Sequence, residues 1–163
     1  MLQILQVAAL VATACAMSFA LAHAAEMPGK LRLDQQAYET TQTIYYPGFT
    51  IGALAEPLAI ILTLALAIIR RDEPAFSFTA AAFCGLATMH AIYWFATHPV
   101  NQYWLKDQKL RDAGVRFFAF GISQRASTTT DWIEMRDRWQ YSHVARAGLA
   151  LLALTLLAVV VTS

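Results

Sequence analysis

The chain has 163 residues, 58% of them hydrophobic and 14% charged, with a formal net charge of +1. A soluble domain is nearer half apolar and a quarter charged. The balance therefore argues against an ordinary soluble fold, and the near-zero charge gives no basis for nucleic-acid binding. The apolar residues are gathered into four runs, at about residues 2–25, 49–69, 76–97 and 142–162. A helix rises about 1.5 Å per residue, so each run can cross a hydrocarbon core of about 30 Å. The expected fold is all-α: an integral membrane four-helix bundle forming one domain over residues 1–163. The lipid bilayer is its first partner, and a long aromatic-rich connection joins helices three and four.

In chain order, "ALAHA" before Ala25 and Glu26 has the form of a signal-peptidase site. However, residues 1–15 hold no Lys or Arg and the apolar run is long for a signal peptide, so a retained membrane helix is expected. Pro28 and Gly29 are expected to break that helix. The stretch "LDQQAYETTQTIYY" predicts a short helix capped by Asp34 and lying at the membrane interface. Pro47 and Gly48 reset the chain, and Gly48 and Gly52 offer a small face for close helix packing. "RRDEP" is a turn short enough to make helices two and three antiparallel neighbours. Pro99 is expected to hold His98 out of helical geometry and so end helix three.

The connection from Asn101 to Tyr141 is rich in aromatic residues and is expected to fold over one end of the bundle. Asp131 with Glu134 has the form of a capping box, so helix four is expected to begin near Trp132. Cys15 and Cys84 both fall within spans and read as small buried thiols. Of the twelve Lys and Arg, all but Arg70 and Arg71 lie in or beside the first and third connections. The positive-inside rule then puts those connections in the cytoplasm.

Ionisable groups within spans are costly and are functional candidates by default. Glu56 precedes Pro57 inside helix two and requires a proton, a partner or a metal. Pro57 also frees the carbonyl of Ala53. His90, Trp94 and His98 share one helical face, but about 12 Å separates His90 from His98 along the axis. They cannot both bind one metal without a bend. His23 and Glu26 share a face at the end of helix one, and His143 shares one with Trp132, Arg136, Trp139 and Arg146. Up-down topology brings the end of helix one, the start of helix two, the end of helix three and the start of helix four to one side. His23, Glu26, Glu56, His98, Asn101, His143 and Arg146 are therefore expected to cluster there as a polar pocket. No Glu-x-x-His pair and no Cys-x-x-Cys-His motif is present. Haem, iron or copper stays open as a cofactor, as does none, with His23, His90 and His98 the candidate ligands.

Pro99, Val100 and Asn101, followed by a long loop and then Trp132, Trp139, His143 and Arg146 in the pattern W-x6-W-x3-H-x2-R, resemble the anthrone oxygenase-like membrane proteins. The "PG-K-L" after helix one is also similar. The likeness covers the four-helix layout of most of the chain through short motifs. It implies a small multi-pass protein, integral to a bacterial inner membrane. Fungal members of the family oxidise an anthrone to an anthraquinone with molecular oxygen, without a classical cofactor. The resemblance marks Asn101, Trp139, His143 and Arg146 as functional positions. The extra histidines His23 and His90 and the longer loop depart from the family and leave the substrate open.

This chemistry needs a base for an acidic C–H proton and a donor for the resulting phenolate. His143 suits the first task. Arg146 and Asn101 suit the second. Trp139, Trp132 and Trp94, with Glu56, would hold a small, flat, apolar aromatic or quinone-like ligand. Two other readings stay open: a non-catalytic subunit of a larger membrane complex or homo-oligomer, and an electron carrier using His90, His98 or His143. A transporter is disfavoured, because four helices without a repeat give little room for alternating access.

Overall fold

The computed structural model describes residues 1–105 and 132–162. Its elements are α1 (Leu2–Lys30), α2 (Gln35–Gln42), a 3-10 turn (Thr43–Tyr45), α3 (Gly48–Gly52), α4 (Ala55–Ile69), α5 (Phe76–Ile92), a π turn (Tyr93–Thr97), α6 (His98–Leu105) and α7 (Trp132–Thr162). Among the described residues all regular structure is helical. Four stretches, Leu2–Lys30, Gly48–Ile69, Phe76–Asn101 and Trp132–Thr162, are long and apolar enough to cross a membrane. The capping box at Asp131 and most of the aromatic connection lie outside the described residues.

The four long helices pack in a closed ring: α1 on α4, α4 on α5, α5 on α7, and α7 on α1. Their inner faces are built from small residues. Ala9, Ala12, Ala16 and Ala20 recur at helical spacing in α1, and Ala147, Ala150 and Ala153 in α7. Small side chains allow backbones to approach closely, and dispersion contacts then hold the helices together. Large apolar side chains such as Val7, Val11, Ile61, Leu151 and Leu152 point outward instead. A water-soluble bundle would reverse that arrangement. Cys15 and Cys84 are free thiols on this outer surface, not the buried thiols expected. The reason is that alanines already fill most of the inner face of α1, and Thr79, Ala82, Leu86 and Met89 fill that of α5.

The helix ends depart from expectation. Pro28 does not break α1, which runs on to Lys30. Only the bond from residue 28 to the carbonyl of Ala24 is lost. The extra turn carries Lys30 to Glu26, 2.9 Å away, and onto the faces of Tyr45 and Trp139. Asp34 caps α2 as expected, accepting from the Ala37 N–H at 2.8 Å. Pro57 sits in the first turn of α4, where a missing N–H costs little. The carbonyl of Ala53 is taken by the Glu56 N–H at 3.0 Å.

His98 is helical, with φ −60° and ψ −43°, contrary to the expected stop at Pro99. The helix passes Pro99 by widening into a π turn, in which the His98 N–H bonds the Tyr93 carbonyl. The carbonyl of Phe95, four residues before Pro99, has lost its helical donor. Arg138 of α7 supplies one at 2.6 Å. At the far end of the bundle, Arg70 and Gln6 donate to the Val160 carbonyl in the last turn of α7, at 3.1 and 3.4 Å.

Of the two glycines beside Pro47, only Gly52 needs to be one. A Cβ there would run into the Phe19 ring of α1, whereas at Gly48 it would meet nothing within 4 Å. Gly52→Val is expected to destabilise by about 1–3 kcal/mol through overpacking. Phe19→Ala should then relieve the clash, so a double mutant no more stable than Gly52→Val alone would contradict this packing.

Candidate functional site

One end of the bundle is polar because each long helix places ionisable residues at the same level. The groups form a ladder across the ring of helices. Trp94 Nε1 donates to His90 Nε2 at 3.0 Å, and His90 Nδ1 lies 3.1 Å from Glu56 Oε1. Arg146 Nη2 donates to Glu56 Oε2 at 2.6 Å, and Arg146 Nη1 lies 3.2 Å from His143 Nδ1. The His143 ring then meets the His23 ring, with centroids 4.3 Å apart. His23 Nδ1 lies 3.7 Å from Glu26 Oε2, beyond hydrogen-bond reach. Glu26 accepts from the Tyr45 hydroxyl at 2.5 Å and pairs with Lys30. Burial, reinforced by Glu26, holds the Tyr45 phenol well above its ordinary pKa, so it remains a donor.

The partners fix the histidine tautomers. An arginine only donates, so His143 Nδ1 carries the lone pair and Nε2 the proton. Glu56 accepts from His90 Nδ1 while Trp94 donates to His90 Nε2, so both nitrogens of His90 are committed. His23 differs. Its Nδ1 is buried without a hydrogen-bond partner, and so is Arg146 Nε. An unsatisfied buried polar group costs about 1–3 kcal/mol.

A cavity of about 330 Å³ lies against this ladder. Rings make up much of its wall: Tyr45, Phe49, Tyr93, Trp94 and Trp139. Asn101 lines it too, with its side-chain oxygen fixed by Trp139 Nε1 at 2.8 Å. The Arg146 guanidinium lies over the Tyr93 ring at 5.2 Å.

His23, Glu56, His90, Trp94, Asn101, Trp139, His143 and Arg146 all line the cavity. Trp132 does not. It packs on Tyr38, with centroids 6.2 Å apart, under the guanidinium of Arg136. His98 is fully buried beside the Tyr93 hydroxyl at 3.2 Å and is not part of the wall. Glu56 serves as the counter-ion of Arg146, and His143, expected as a base, has its Nδ1 facing Arg146 Nη1 at 3.2 Å. His90 and His98 each pack on the Trp94 indole, with centroids 6.1 and 4.8 Å apart. Among the described residues no three His, Cys, Asp or Glu side chains are grouped to hold a metal.

Sequence reasoning missed Lys30, Tyr45 and Tyr93. The signal for Lys30 was present, since His23, Glu26 and Lys30 stand at i, i+3 and i+7 once α1 is continued through Pro28. No family model, no curated protein and no solved structure matches the chain.

Proposed function

We propose that the chain is a multi-pass membrane protein, a four-helix bundle, that binds a flat apolar aromatic or quinone-like molecule in this cavity. The further step is an oxidation of the kind implied by its likeness to the anthrone oxygenase-like proteins. One observation carries the reading: an aromatic cavity whose polar wall includes His23 and Arg146, each with a buried nitrogen that no protein group satisfies. A ring bearing an oxygen substituent supplies what they lack.

In this reading His23 is the base. Its buried, unpartnered Nδ1 takes an acidic C–H proton, and the Glu26 carboxylate, 3.7 Å away, offsets the charge that forms on the ring. Arg146 and the Asn101 amide hold the resulting phenolate. Trp139 and Trp94 stack on the ring system. For an anthrone, each turnover consumes one O₂ and releases anthraquinone and water. An electron carrier ligated through His90 is less well supported, because both nitrogens of that ring are already engaged.

The test is purified protein in detergent, titrated with an apolar quinone while tryptophan fluorescence is followed, then assayed for oxygen uptake with an anthrone. Saturable quenching at one ligand per chain and uptake above the uncatalysed rate are expected. Binding without uptake would remove the oxidation and leave a binding protein. No saturable binding would remove the whole reading.

A further inference from the structure

Two of the long helices are irregular, and both irregularities lie on the cavity. Ala53 and Leu54 interrupt the run from α3 to α4, and α5 widens into its π turn at Tyr93–Thr97. Within hydrocarbon, irregular backbone persists only where protein or a cavity receives its polar groups. Single π turns recur at functional positions. Thr50, Ala53, Leu54 and Pro57 line the cavity, as do Tyr93 and Trp94. Leu54 is the most exposed of the lining side chains, at 67%. No side chain of α3 is buried. The outer surface flanking these segments is apolar, with Ile51 63% and Leu58 51% exposed on one side and Phe95 64% exposed on the other.

We propose that the cavity opens sideways, between Leu54 and the π turn of α5, and is loaded from the hydrocarbon layer. Leu54 is the side chain that must swing aside. An opening that admitted ligand from water would expose an apolar rim at a cost of about 25 cal/mol per Å². Hydrocarbon imposes no such cost. The ligand class follows: an uncharged planar ring system that partitions into the bilayer, so that only its oxygen substituents need polar partners at the end of the path.

This inference rests on the ligand-binding reading above, and its test separates the two. The full chain is placed in phosphatidylcholine vesicles, and an alkylated benzoquinone is mixed in while tryptophan quenching is followed by stopped flow. A side chain that only obstructs a path changes association and dissociation together and leaves the affinity alone. Leu54→Phe is expected to slow both rate constants about fivefold or more, and Leu54→Ala to speed both, with Kd held within about twofold. Rates that ignore both substitutions, in a wild type that binds, would overturn the sideways path and leave the binding site standing. A change in Kd carried by dissociation alone would make Leu54 a ligand contact and also overturn it. A wild type that binds no quinone would remove the site and the path with it.

Discussion

Arg146→Met is expected to be the most destabilising single substitution in the described structure, at about 3–5 kcal/mol. The guanidinium lies 2.6 Å from Glu56, and the two side chains are only 7% and 5% exposed. Removing it leaves a buried carboxylate with His90 alone for company, in a region poor in water. In detergent the melting midpoint, followed by tryptophan fluorescence, should fall by about 10 °C. Adding Glu56→Gln removes the stranded charge. Replacing both members of a buried ion pair is often close to neutral, so the double mutant should recover most of the loss. A single mutant that melts with the wild type would mean that the two charges are not paired out of water.

On the proposed oxidation, His23→Gln should have the largest effect on turnover. Loss of a positioned base costs about 10²- to 10⁴-fold. The near-isosteric Gln retains a hydrogen-bonding group among Tyr45, Phe49, Trp139 and His143, so quinone affinity should change by no more than about threefold and the loss should appear in kcat. His143→Gln keeps an acceptor for Arg146 and should cost about tenfold at most. The reverse ranking, with turnover lost in H143Q and kept in H23Q, would return the role of base to His143.

Much of this architecture was legible in the sequence, for a reason that also explains what was not. Four apolar runs of about twenty residues need only composition to be seen. Where a helix stops is a tertiary matter. Pro28 is passed because Lys30 gains Glu26 and two aromatic faces. Pro99 is passed because the π turn and Arg138 repair the break four residues back. Both repairs come from elsewhere in the chain, so no local signal announces them.

The site divides in the same way. Topology alone brings His23, Glu26, Glu56, Asn101, His143 and Arg146 to one end. His90 joins them through Glu56 on the neighbouring helix, a pairing that no spacing within α5 encodes. Trp132 shares a face with Trp139 but stands two turns away, about 10 Å along the axis. At that distance it meets Tyr38 instead of the cavity.

The alanine-lined interior has a consequence for how the helices find their alignment. Ala147, Ala150 and Ala153 of the shared core would meet their neighbours almost as well if α7 slid by one turn, about 5.4 Å. Lipid tails are as apolar as the inner faces, so burial hardly distinguishes one sliding position from the next. The polar contacts do distinguish them. A one-turn slip would part Arg146 from Glu56 at one end and Val160 from Arg70 and Gln6 at the other. The ladder and the Arg70 contact then act as two keys, one at each end, that fix a single register for a bundle whose greasy surfaces would accept several.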